Sequence, residues 1–117
     1  MPAAKLPRRG RRSQEPPLES NITKAIIKDI NDRPGWRARK IHGGAYGAGW
    51  PDILAVNNGQ AYFLEVKRPD PYGSPVTPLQ RAELDAWASV GAVAVVVRSV
   101  EDARVVMSIA ETEERIL

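Results

Sequence analysis

Two carboxylates and a lysine lie around one apolar hairpin at a spacing that could support chemistry. Asp52 comes before the first strand, and the segment Glu65-Val66-Lys67 ends the second. The Asn-Gly pair at 58–59 predicts a two-residue turn, because both central positions of that turn need a positive φ. Counting outward from this turn, Asp52 falls opposite Glu65. Lys67, two residues further on, points to the same face.

Carboxylates that face each other about 4.5–5.5 Å apart repel one another where water is scarce. Both faces of the hairpin are apolar, which predicts central strands covered on both sides. Binding of Mg²⁺ would remove this electrostatic repulsion, since the ion takes oxygen ligands from one or two carboxylates, water and substrate phosphate. A lysine beside it could stabilise charge on a phosphodiester oxygen or position the attacking water. The alternative is a Glu65–Lys67 pairing at a strand end, with Asp52 opening a turn.

A first helix is predicted from near Pro17 to about Asn31, with isoleucines at positions 22, 26 and 30 as its buried stripe. Glu19 lies three residues before this stripe, on the same face. It either reaches toward the metal from the first turn or only complements the positive end of the helix dipole.

A basic strand is predicted next, over residues 36–41, and its alternation and charge place it near a sheet edge. It carries Arg37, Arg39 and Lys40. These cations are candidates for contact with nucleic acid.

The segment from His42 to Trp50 contains four glycines and leads into Asp52. It does not fit a phosphate-cradling loop, because no Gly-Lys-Ser/Thr ends it and a strand follows. It is either a substrate-facing flap or merely a long connector. His42 is the chain's one histidine, which excludes a multi-histidine zinc site.

The second helix opens at Thr77 with an N-cap, a proline at N1 and a capping-box glutamine, Gln80. The capping box is by itself a sufficient structural reason for a glutamine at position 80. Yet Gln80 shares a face with Leu84 and Trp87, so its amide could instead reach the metal site. Both interpretations stay open.

The end of the chain completes the fold. Gly91 ends the second helix, the apolar run 92–97 predicts a buried strand entered by a crossover, and Ser99 caps a last helix. The order is helix, three strands, helix, strand, helix. An antiparallel hairpin and a parallel crossover strand predict an α/β fold, with a mixed central sheet flanked by helices.

Length and composition predict one folded domain, residues 17–117, after a basic tail, residues 1–16. The tail is rich in proline and lacks a periodic apolar pattern, so we expect it to be disordered. Residues 1–12 hold five of the 17 basic residues and none of the 14 acids. The tail either contacts nucleic acid in a salt-dependent way or is an extension that adds only solubility.

Other classes of protein are excluded by what the sequence lacks. It has no cysteine, which excludes disulfides and thiolate metal sites and favours a cytoplasmic protein. No apolar stretch approaches the about 18 residues needed to span a bilayer, so no membrane partner is expected.

This order of elements and residues resembles the PD-(D/E)XK, or restriction-endonuclease-like, nuclease superfamily, with its αβββαβ core. Within it the chain is most similar to the small VRR-NUC group, which includes stand-alone phage and bacterial proteins. The match runs from about Glu19 to Glu101 and includes Asp52, the Glu65-Val66-Lys67 segment and Gln80.

The resemblance implies that Asp52 and Glu65 bind Mg²⁺ or Mn²⁺, with the Val66 carbonyl as a further ligand. It also implies that Lys67 is catalytic, that Glu19 assists at the metal and that Gln80 lies near the site. A homodimer acting on structured DNA, such as Holliday junctions or flaps, is expected in a bacterial or phage-infected cell.

We therefore expect a metal-dependent DNA endonuclease. The rivals are a catalytically inactive nucleic-acid-binding module and a subunit of a larger DNA-processing complex. Binding a polyanion gives no reason to keep two carboxylates facing it, which favours the enzyme. The candidate nucleic-acid contacts are Arg8, Arg9, Arg11, Arg12, Arg37, Arg39, Lys40 and His42.

Overall fold

The computed structural model describes residues 15–41 and 48–116. Its elements, in chain order, are α1 (Glu19–Asn31), β1 (Trp36–Lys40), β2 (Ile53–Asn57), β3 (Gln60–Val66), α2 (Pro78–Ser89), β4 (Val93–Val97) and α3 (Val100–Ile116). No helix in this part of the chain has the length and apolar character needed to cross a membrane. The basic residues of the tail, His42 and most of the glycine-rich segment lie outside the described residues, so the expectations placed on them stay predictions.

The strands form one mixed sheet in the order β1-β2-β3-β4. Neighbours pair antiparallel from β1 to β3, and β4 pairs parallel with β3. This confirms the predicted α/β fold. The predicted turn is also confirmed, because Asn58 has φ 54° and Gly59 has φ 78°. The hairpin register runs from Asn57–Gln60 to Ile53–Leu64, as counted from the sequence.

One face of the sheet carries the hydrophobic core. The isoleucine stripe of α1 is buried there as predicted, with Ile26 and Ile30 fully enclosed. Met107 of α3 and strand residues such as Ile53 and Leu64 complete the cluster. This packing holds the hairpin from one side and orients the residues between the core positions toward the other face.

The opposite face is only partly covered, which corrects the expectation that both sides of the hairpin are buried. α2 packs over β3, where the rings of Phe63 and Trp87 stack with centroids 4.4 Å apart. Val56, on the same face of β2, remains 38% exposed. The twelve-residue helix α2 covers the β3 side of that face. The side formed by β1 and β2 is left open.

The expectation that the last strand is buried is also wrong. β4 forms an edge of the sheet, and only Val97 is buried, while Val93 is 36% exposed. An apolar run signals contact with other elements but does not distinguish a central strand from an edge strand.

The first helix begins at Glu19 rather than near Pro17. Leu18 has extended backbone angles, φ −62° and ψ 154°, and its carbonyl accepts from the N–H groups of Asn21 and Ile22. Pro16 and Pro17 therefore stay outside the helix. Their carbonyls accept hydrogen bonds from Arg68 instead.

Two glycines with nearly identical φ angles offer a matched test of the packing around the hairpin. A Cβ at Gly59 (φ +78°) would meet nothing within 4 Å, whereas one at Gly49 (φ +79°) would lie 2.6 Å from Cγ of Leu79. We expect Gly59→Ala to cost about 1 kcal/mol, the strain of the left-handed conformation alone. Gly49→Ala should cost clearly more in urea unfolding. Equal losses would show that Leu79 does not pack on Gly49.

Candidate active site

Asp52 is fixed between two strands by its own backbone. Its N–H donates to the Leu64 carbonyl at 3.0 Å, and its carbonyl accepts from the Ile41 N–H at 2.8 Å. Its carboxylate Oδ2 accepts the Val66 N–H at 2.7 Å. The side chain is therefore directed across the end of the hairpin, toward the strand that carries Glu65, as the register predicts.

Glu65 lies beside it and is almost fully enclosed, with 2% of its surface exposed. Its Oε2 is buried with no hydrogen-bond partner. Burial raises the pKa of Glu65 to about 8, helped by a hydrogen bond with the Asp52 carboxyl group and by the charge of Asp52. At neutral pH Glu65 is therefore largely protonated when no cation is bound.

Lys67 continues the strand on the same side. Its N–H donates to the Val97 carbonyl at 3.0 Å, and its side chain is 4% exposed. Its charge opposes the rise in the Glu65 pKa, so the ammonium group lies close to that carboxyl. The long 3.5 Å contact from Nζ to Oγ of Ser74 limits its position. The sequence analysis missed Ser74, because a serine within a Pro- and Gly-rich loop carries no signal of its own.

The charge of Glu19 also contributes to the raised pKa of Glu65. Yet no three His, Cys, Asp or Glu side chains among residues 15–41 and 48–116 group closely enough to hold a metal ion. The carboxylate donors that the structure brings together are a pair, Asp52 and Glu65. The role of Glu19 at a metal stays a prediction.

Gln80 forms the capping box that the sequence predicts. Its Oε1 accepts the Thr77 N–H at 3.0 Å, and its own N–H donates to Oγ1 of Thr77 at 3.1 Å. Both contacts are those of a helix start. The close approach of Leu79 to Gly49 places this first turn against the segment that enters Asp52. A further role for Gln80 at the metal stays a prediction.

The register of β1 decides where its cations point. Arg37 pairs with Val56 and Arg39 pairs with Leu54. Opposed residues share a face, and Leu54 in turn pairs with Phe63, two residues before Glu65. The two arginines therefore extend from the open face that carries the carboxylates.

Lys40 pairs with Ile53, so it belongs to the opposite face of the sheet. The structure thus separates it from Arg37 and Arg39, although all three are exposed. Its predicted contact with nucleic acid is not on the carboxylate side.

The donor set fits a hard divalent cation. A half-buried carboxylate, Asp52, meets the buried Glu65, and one oxygen of Glu65 has no hydrogen-bond partner. Mg²⁺ and Mn²⁺ prefer carboxylate and carbonyl oxygens, and Mg²⁺ is commonly held by only one or two carboxylates plus water and phosphate. The proton held by Glu65 is what such an ion would displace.

Solved structures with the same fold exist. A structure titled "VRR_NUC domain" matches with a TM-score of 0.63 and 24% sequence identity, covering 77% of this chain and 94% of its own. A second, titled "VRR_NUC domain protein", matches with a TM-score of 0.63 and 17% identity, covering 79% of this chain and 86% of its own. The sequence matches no family model, and no curated protein is significantly similar to it. This chain therefore has the VRR_NUC fold, which confirms the resemblance at the level of the fold.

The raised pKa of Glu65 gives a pH-dependent test in EDTA. A carboxyl whose folded pKa exceeds its unfolded value destabilises the metal-free protein above the folded pKa, and this loss disappears below the unfolded pKa near 4.5. Glu65→Gln, which mimics the protonated group, should therefore be more stable than the wild type at pH 8.5, by about 1.4 kcal/mol for each pKa unit relieved. The two proteins should converge near pH 4.5 in urea unfolding.

Asp85→Asn is the matched control, because Asp85 is exposed and makes only a 3.9 Å ion pair with Arg81. It should change stability by less than about 0.5 kcal/mol at both pH values. If Glu65→Gln is instead less stable than wild type at pH 8.5, the Glu65 carboxylate is paired with a cation in the fold itself.

Proposed function

We propose that this chain is a Mg²⁺- or Mn²⁺-dependent DNA endonuclease built on the VRR_NUC fold. The observation that carries the proposal is the buried, unpartnered Oε2 of Glu65 beside Asp52, with the ammonium of Lys67 nearby. A hairpin with only a structural role would be more stable with apolar residues at these positions, because buried ionisable groups are costly. A cation would give the unpartnered Oε2 of Glu65 a ligand role, and a phosphodiester oxygen would accept from the Lys67 ammonium.

Asp52 and Glu65 would hold the ion, with the Val66 carbonyl and Glu19 as further proposed donors. When bound, the ion supplies Lewis-acid stabilisation of the phosphate and lowers the pKa of a coordinated water. Water adds to phosphorus and one P–O bond breaks, leaving a phosphomonoester and a free hydroxyl.

Lys67 is the group that acts on the reacting phosphate in this proposal. Its burial removes most competing water, so its charge acts more strongly on the developing negative charge than an exposed lysine would.

The substrate surface follows from the open face of the sheet. Arg37 and Arg39 stand two strands away from Glu65, about 10 Å across the sheet at the usual strand spacing. Phosphates on either side of the scissile phosphodiester would contact these two arginines. Val56 forms part of the uncovered surface between the arginines and β3. The basic tail would add further phosphate contacts.

Cleavage of Holliday junctions or flaps, by a homodimer, is the finer part of the proposal. It is supported by the resemblance to stand-alone VRR-NUC proteins. Labelled linear, flap and four-way-junction DNA, incubated with Mg²⁺, Mn²⁺ or EDTA, tests both the activity and the preferred structure.

Lys67→Met keeps the length of the buried side chain and removes its charge. We expect cleavage to fall by about 100-fold or more, because charge stabilisation in the transition state is lost. The Mn²⁺-induced rise in melting temperature should persist, since Lys67 does not hold the ion. Cleavage at the wild-type rate would show that Lys67 is not catalytic. Loss of the Mn²⁺ effect as well would assign Lys67 to the integrity of the metal site.

Arg39→Ala and Lys40→Ala are neighbouring changes on opposite faces of one strand. Arg39→Ala should weaken DNA binding in EDTA and lower the slope of log affinity against log salt by about 0.9 for one lost phosphate contact. Lys40→Ala should change the slope much less. If the two variants lose affinity equally, DNA does not lie on the carboxylate face.

A further inference from the structure

A groove runs along the carboxylate face of the sheet, between the β2–β3 hairpin and α2. Its volume is about 460 Å³, within the range of about 300–1,000 Å³ usual for sites that bind small ligands. None of the described residues that line it is charged. We call it the apolar groove, and its lining includes Leu54, Val56, Ala61, Phe63, Trp87 and Val90.

The apolar groove leads toward the proposed active site. Phe63 lies two residues before Glu65 on the same face of β3, so about 7 Å of strand separates the two positions. At its other end the groove reaches the hairpin turn, where Gly59 lines it. A ligand in the groove would therefore extend from the turn toward the two carboxyl groups.

The walls of the apolar groove are tied to each other. Nε2 of Gln60 donates to the Gly91 carbonyl at 2.9 Å, which joins the hairpin to the end of α2. Trp87 is held by its stack on Phe63 and by a 3.1 Å hydrogen bond from its Nε1 to the Glu83 carboxylate. The groove is therefore formed by the fold itself, before any ligand binds.

Two cations border the apolar groove on its β1 side. Arg37 pairs with Val56 and Arg39 pairs with Leu54, so each arginine is next to a lining residue on the same face. Both arginines are exposed, and neither forms an ion pair within residues 15–41 and 48–116. An apolar surface beside two free cations fits a ligand that is anionic along one edge and apolar along the other.

Single-stranded nucleic acid has this chemistry, because its phosphates carry the charge and its unpaired bases expose flat apolar faces. The bases of a duplex are stacked and paired, and taking one out of the stack costs free energy. A second copy of this chain is a poorer fit. Docked on this face about a twofold axis, it would bring its own two arginines toward the first pair.

We infer that the apolar groove binds unpaired bases of the nucleic-acid strand next to the scissile phosphodiester, while Arg37 and Arg39 contact the phosphates of that strand. The groove then selects substrates with unpaired nucleotides on one side of the cut and takes no part in the reaction. This inference rests on the proposed function for the position of the scissile bond.

Exposed valines on the two faces of the sheet provide a matched test. Val56→Thr combined with Val90→Thr keeps the side-chain shape and replaces one methyl by a hydroxyl at two groove positions. Val93→Thr combined with Val105→Thr is the control, because these valines line other surfaces of the molecule. Val56 and Val93 are 38% and 36% exposed, and the other two valines are more exposed still. The fold should therefore tolerate both pairs, which circular dichroism checks.

Affinity is measured in EDTA for labelled oligothymidylate and for a duplex of equal length. The groove pair should weaken oligothymidylate binding by roughly 5- to 15-fold, because an apolar contact with a base is lost at each position. It should weaken duplex binding by less than about 2-fold, since the arginines that contact phosphates are unchanged. The control pair should change neither affinity by more than about 2-fold.

Trp87 gives a readout that is independent of affinity. The chain has three tryptophans, and in a Trp50→Phe background only Trp87 and the core residue Trp36 remain. Saturating oligothymidylate should quench the emission of Trp87, because bases in the groove lie against its ring. Saturating duplex should leave the emission unchanged.

Several results would overturn the inference. If the groove pair weakens single-strand and duplex binding equally, or if oligothymidylate neither binds measurably nor quenches Trp87, the groove does not take unpaired bases. If the groove pair instead lowers the molecular mass measured by light scattering, the groove is an interface between copies of this chain. Binding in EDTA needs no cleavage, so a failure of the nuclease proposal would appear separately, as an absence of metal-dependent cutting.

Discussion

The opposition of Asp52 and Glu65 across the end of one hairpin is the constraint on which the rest of the molecule depends. Two ionised carboxylates so placed would move apart if they were free. Asp52 cannot, because its backbone and its carboxylate are all hydrogen-bonded to neighbouring strands. Glu65 cannot, because Leu64 and Val66 on either side of it are buried in the core. Rigid secondary structure therefore stores an arrangement that a cation would relieve.

The two faces of the sheet have different tasks for this reason. One face is sealed by α1 and α3 and supplies the stability that holds the hairpin. The other is covered by α2 only over part of its width, and the uncovered part ends at Arg37 and Arg39. A polyanion that approached the two carboxylates would be repelled unless cations lay nearby. Arg37 and Arg39 on the open part of the face are such cations.

Alternation of side-chain direction gives two consecutive residues, Lys67 and Arg68, different surroundings. Lys67 lies beside the carboxyl pair, and Arg68 is directed to the start of the chain. Neighbouring residues of an extended segment point in opposite directions, so one short stretch supplies one side chain to the proposed reacting centre and the next to the segment before α1.

Short-range patterns in the sequence determined the hairpin, its register, the opposition of Asp52 and Glu65, and the capping box of Gln80. Turn chemistry, period-2 alternation and capping depend on residues close in the chain, so they can be read without a fold. Tertiary structure alone decided that α2 leaves β2 open, that β4 is an edge strand, that Lys67 is enclosed, and that Arg68 reaches Pro16 and Pro17. Burial, pKa and contacts between distant segments depend on how elements pack across the whole domain, and no local pattern specifies that packing.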